Sequence, residues 1–145
     1  MSAKYFITFI SFVFATAVCS NENMENAAFK ARMQAMTSMS INMRILGKMM
    51  KGIQDFDLDI ARASIGNIAV LASETPELFK IEAVDPNAEA KLEVWTNFDD
   101  FIEKAMALES AAPYAGNILT SKERLRNAVI SLGGTCKACH SFSRN

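Results

Sequence analysis

The sequence predicts an all-α fold, an antiparallel four-helix bundle around one core. Three observations carry this. Apolar residues recur at three-four spacing through four separate stretches. No alternating polar and apolar run exceeds a few residues. Three Pro and six Gly in 145 residues are too few for a turn-rich β fold. Half of the side chains are apolar and 21% are charged, which excludes a disordered chain. The length suits one domain. Fifteen Lys and Arg against sixteen Asp and Glu leave a net charge of −1, without the basic surplus of nucleic-acid binders.

The chain opens with a leader rather than a bundle helix. Lys4 gives a positive start, Tyr5 to Val18 carries no charge, and small residues cluster at Ala15, Ala17 and Ser20. This is the layout of a secretory signal peptide. Residues 1–20 are therefore expected to be removed, with cleavage between Ala17 and Ser20, and residues 21–145 to form the periplasmic domain. The apolar run is shorter than the roughly 20 residues that span a bilayer, so no membrane span is expected after cleavage. Cys19 lies beside the cut. Thr16-Ala17-Val18 is a poor lead-in for a lipoprotein signal, so Cys19 is expected to leave with the leader. Cleavage also removes Lys4, leaving fourteen basic against sixteen acidic side chains. In an oxidising compartment the remaining thiols, Cys136 and Cys139, are expected to pair or to be used.

The first helix carries Phe29, Met36, Met43 and Met50, seven apart, interleaved with Met39 and Leu46. That is one apolar stripe, ended by Gly52 and Asp55-Phe56-Asp57. The second helix is expected to start from Asp57 as N-cap, to bury Ala61, Ile65, Ile68 and Ala72, and to stop before Pro76. A loop follows from Pro76 to Pro86. The third carries Val94, Phe98, Phe101, Ala105, Leu108 and Ala112, with Pro113 after it. Thr120 and Glu123 form a capping box for the fourth, whose face is Leu125, Val129, Leu132, Cys136 and Cys139. Four amphipathic helices with modest loops favour an antiparallel bundle.

The chemistry is concentrated in Cys136-Lys137-Ala138-Cys139-His140, a C-x-x-C-H motif that reads as a c-type haem attachment site. Two thiols three residues apart on a helix share a side, so each can reach one vinyl group of one porphyrin. His140 follows at once, where its imidazole can bind iron. A structural zinc site would need four ligands, and no second pair exists. A thioredoxin-like pair would want a βαβ context, which is absent. A plain disulfide would leave His140 without a role.

His140 is the only histidine, so bis-histidine ligation is excluded. The sixth position is left to Met, Lys, an exogenous group, or nothing. A haem enzyme would also want a distal acid or base such as a second His. Seven of the nine methionines lie between Met24 and Met50. Most serve as flexible core filler. Arg32 singles out Met36, four residues on and one turn of about 5.4 Å away. By the periodicity Arg32 points inward. A buried cation needs a partner, and a haem propionate suits its fork; otherwise Arg32, near the helix start, snorkels to water.

These residues carry a resemblance. The chain beyond the leader is similar to class II c-type cytochromes of the cytochrome c′ family, whose C-x-x-C-H also stands close to the C-terminus. Arg32 matches the family's first-helix Arg and Met36 its distal position. The Asn42-to-Gly52 run resembles the end of its first helix. Trp95 and Phe101 match its W-x5-F pattern. Cys136, Cys139, His140 and Arg144 match its C-x-x-C-H-x3-R ending. Met33 after Arg32, and Phe142 one place earlier than the usual aromatic, depart from it. Glu89 reads as a solvated acid at a helix start.

The resemblance implies one haem c, covalently bound through Cys136 and Cys139. It makes His140 the proximal ligand, with Arg32 on a propionate and Trp95 either at the haem edge or in the core. A Met at the distal position is similar to the six-coordinate, low-spin branch, which implies a one-electron carrier serving redox partner proteins. The alternative is a five-coordinate protein binding NO or CO at a vacant distal site. Family members occur as monomers and as homodimers.

Overall fold

A computed structural model describes residues 18–83 and 89–144, with side chains from residue 24 onward. The leader predicted over residues 1–20 lies outside the described residues, apart from positions 18–20, where the first helix begins.

Helix α1 runs Val18–Met50. Its buried line is Arg32, Ala35, Met39, Leu46 and Met49. Met36, Met43 and Met50, expected on the same stripe, sit half-buried along its edge. Arg32, Met39 and Leu46 follow the same seven-residue spacing a step round the helix and take the buried line, which leaves Met36, Met43 and Met50 at its border. Gly52 ends the helix at φ +69°, and the Ile53 amide donates to the Lys48 carbonyl at 2.9 Å, the long bond of a Schellman-type stop.

Helix α2, Leu58–Leu78, starts as expected. The Asp57 carboxylate accepts from the amides of Asp59 and Ile60, both at 2.9 Å. It does not stop before Pro76, which lies inside its last turn. Proline costs the Ala72 carbonyl its usual donor. The buried face nonetheless continues through Ala72, Thr75 and Phe79, and that burial carries the helix on.

The expected third helix is two pieces, α3 Glu93–Thr96 and α4 Phe98–Ile118, with a break at Asn97. Its far end is also corrected. Pro113 sits within α4, because Ala112, Ala115 and Leu119 keep one buried line across it. Helix α5, Lys122–Ser143, has Ser121 rather than Thr120 at its N-cap position, without a capping bond from the side chain. The Ser121 hydroxyl donates to Glu123 at 2.5 Å, so the Thr120–Glu123 box is not formed.

The four long helices pack in a ring, α1 on α2, α2 on α4, α4 on α5 and α5 on α1. This is a four-helix bundle, with no strand among the described residues. One isolated antiparallel bridge joins Ala90 to Arg144, and the Lys91 amide donates to the Ser143 carbonyl at 2.9 Å. The segment before α3 is thereby tied to the end of α5, next to the C-x-x-C-H motif. No helix among the described residues is long and apolar enough to cross a membrane.

Candidate haem site

Cys136, Cys139 and His140 stand at positions i, i+3 and i+4 of α5 and line one cavity of about 270 Å³. Its opposite wall is α1, which contributes Met36, Met39 and Met43. Thr75 of α2 and Lys104 and Leu108 of α4 close the sides. Met33 is 48% exposed and takes no part. The structure thus brings Met36 and the C-x-x-C-H residues together, and places Met39 and Met43 on the same wall.

The two thiols are free and half-buried. Burial pushes both above the ordinary thiol pKa, and at Cys136 the neighbouring Cys139 adds to the rise. They are therefore protonated at neutral pH, and no cluster of three or more metal-ligating side chains occurs among the described residues. Burial lowers the His140 imidazole, as does Arg144, while Glu89 acts in the opposite direction. The neutral ring, with a nitrogen lone pair to donate, is the form a metal requires.

Arg32 points inward, as its spacing predicts, but into a second cluster rather than into the cavity. It is 4% exposed. Its Nη2 donates to the Ile81 carbonyl at 2.5 Å and its Nη1 to the Ala83 carbonyl at 3.4 Å. The guanidinium lies 5.0 Å from the Phe79 ring centre and 5.3 Å from that of Trp95. Burial lowers its pKa. Its Nε is buried with no hydrogen-bond partner, so one edge of the fork still lacks an acceptor.

Trp95 belongs to that same cluster. Its Nε1 donates to the Phe79 carbonyl at 2.9 Å, and Phe79 packs on Phe101 at 4.7 Å between ring centres. Trp95 does not line the cavity. Met36 packs against both this aromatic cluster and the aliphatic core, as the side chain between them. Glu89 is exposed, as expected, but it stands four residues ahead of α3 rather than at a helix start and forms an ion pair with Arg144.

Lys104 escapes a motif search. The signal was present, since it stands on the apolar stripe of α4 between Phe101 and Leu108, as Arg32 does on α1. Phe79 and the carbonyls of Ile81 and Ala83 fall in the segment expected to be a loop. Nothing in their residue types marks them as the seat of a buried cation.

These residues fit a covalently attached haem. Two protonated thiols and one neutral imidazole border an apolar slot whose facing wall carries three methionines, the lining that a porphyrin with a metal at its centre requires.

Comparison with known proteins agrees. The family described as Cytochrome C′ matches residues 27–143. The chain is 33% identical to cytochrome c-554 of Cereibacter sphaeroides over 142 residues, covering 92% of this chain and 91% of that one. It is 34% identical to cytochrome c-556 of Agrobacterium tumefaciens over 100 residues, covering 68% and 79%. Cytochrome c′ from Rhodopseudomonas palustris superposes with a TM-score of 0.77 at 23% identity, over 81% of this chain and 95% of that one. A match of that extent shows what the site is for: the chain belongs to the cytochrome c′ family of electron-carrying or gas-binding haem proteins, and its haem c is attached through Cys136 and Cys139.

Proposed function

We propose that the protein is a periplasmic one-electron carrier whose haem iron takes His140 and Met36 as axial ligands. The observation that carries this reading is that Met36 and His140, from opposite ends of the chain, line one cavity. Bound haem supplies a metal that gains and loses a single electron. The chain's own residues do the rest. Cys136 and Cys139 fix the group to α5, and His140 offers a neutral nitrogen. Met36 offers a soft sulfur, which favours the reduced metal and raises the potential. Met36 is wedged between two packed clusters, so its sulfur moves little between oxidation states. Arg32 holds the segment at Ile81 and Ala83 through its two Nη groups, and its unpartnered Nε is the donor assigned to a propionate.

Residues 1–20 are read as the export signal and residues 21–145 as the functional domain. The partners are redox proteins of the same compartment, met by a monomer or a homodimer.

Met36→Ala tests the ligand assignment in the haem-loaded protein. The oxidised spectrum should change from low-spin to high-spin and lose its sulfur-to-iron band, whereas Met39→Ala and Met43→Ala should keep both features. An unchanged spectrum in Met36→Ala, with a shift in Met39→Ala or Met33→Ala, would move the ligand elsewhere.

A further inference from the structure

The cavity contains one lysine, and the electron-carrier reading gives it no task. Lys104 lines the wall beside Cys136, Cys139 and His140, half-buried on α4. Its Nζ sits 5.2 Å from the centre of the Phe142 ring on α5, a cation–π contact that holds the ammonium over the end of the haem-binding helix. Among the described residues it forms no ion pair; the two that exist join Lys80 to Glu77 and Arg144 to Glu89. Asp100, one turn earlier on α4, is exposed and makes no such pair with it. Arg32, the other inward cation, lies outside the cavity wall and spends its Nη groups on main-chain carbonyls.

A half-buried, unpaired cation on the wall of an apolar cavity is screened less than one in bulk water, so its charge is felt across the cavity. Reduction of a haem in this cavity adds one electron, supplied by an external one-electron donor, and lowers the charge at the iron by one without making or breaking a bond. We propose that Lys104 is a potential-setting residue: its ammonium, held over Phe142 within the haem cavity, favours the reduced state and raises the reduction potential. It positions charge and does not ligate the metal. The inference depends on haem occupying this cavity but not on Met36 as ligand. A high-spin spectrum would retire the carrier reading and leave the role of Lys104 standing.

Potentiometric titration of the haem-loaded protein, between dithionite and ferricyanide, tests it. Lys104→Gln and Lys104→Met, the second keeping most of the alkyl stem, should each disfavour reduction about tenfold, or ~59 mV for one electron. Lys104→Arg should restore the native midpoint, and Lys104→Glu should shift it further in the same direction. Midpoints of Lys104→Gln and Lys104→Met within twofold of native would overturn the proposal. So would a Lys104→Arg shift as large as that of Lys104→Gln. Loss of haem in every variant would also overturn it, by making Lys104 a folding residue.

Discussion

Around Leu46, Ile65, Ile68, Leu108, Leu125 and Leu132 the core is aliphatic, built from side chains on all four long helices. Around Phe79, Val94 and Phe101 it is aromatic, and it encloses a guanidinium bonded to two main-chain carbonyls. The first region is held by volume and the second by pairing. Met36 and the haem-binding end of α5 lie between them, with Cys136 packed on the aliphatic side and Cys139 and Phe142 on the aromatic one.

Substitutions should separate the two regimes. In the aliphatic core, Leu46→Ala removes a fully buried side chain and should cost about 3 kcal/mol in urea unfolding of the haem-loaded protein. A volume-conserving Leu46→Met should cost less than ~1.5 kcal/mol. In the aromatic region volume should matter less than pairing. Arg32→Met keeps much of the bulk but strips the donors from the Ile81 and Ala83 carbonyls, and should cost about 2 kcal/mol. Arg32→Lys should rescue little, because a point charge cannot span two carbonyls and two rings. If Arg32→Met proved as mild as Leu46→Met, the contrast between the regions would collapse.

The aliphatic region was the legible one. Ala61, Ile65, Ile68 and Ala72 repeat at three-four spacing, and so do Ala105, Leu108 and Ala112, because a helix face packed on hydrocarbon leaves its period in the sequence. The C-x-x-C-H motif was equally plain, since its chemistry needs those residues at that spacing. The aromatic region was not. The seat of Arg32 is made by the carbonyls of Ile81 and Ala83, and backbone acceptors carry no residue signature. Pro76 and Pro113 misled for a related reason, because local preference yields when the flanking positions continue a buried face. The Glu89–Arg144 pair spans the connection before α3 and the end of α5, a contact that only the fold creates.

Smaller effects sharpen the same contrast. Trp95→Phe keeps the ring but leaves the Phe79 carbonyl without its 2.9 Å donor, and should cost about 1 kcal/mol in thermal unfolding. Glu89→Gln breaks an ion pair whose two side chains are both about half exposed, and should change stability by less than ~0.5 kcal/mol. A larger loss would mean that the tie between α5 and the segment before α3 stiffens the motif.

The most direct measurement is the optical spectrum of the oxidised, haem-loaded wild-type protein. A low-spin spectrum with a sulfur-to-iron charge-transfer band is predicted, because Met36 shares the cavity with His140. A high-spin spectrum without that band would contradict the axial pair and leave a vacant distal face suited to a small gas.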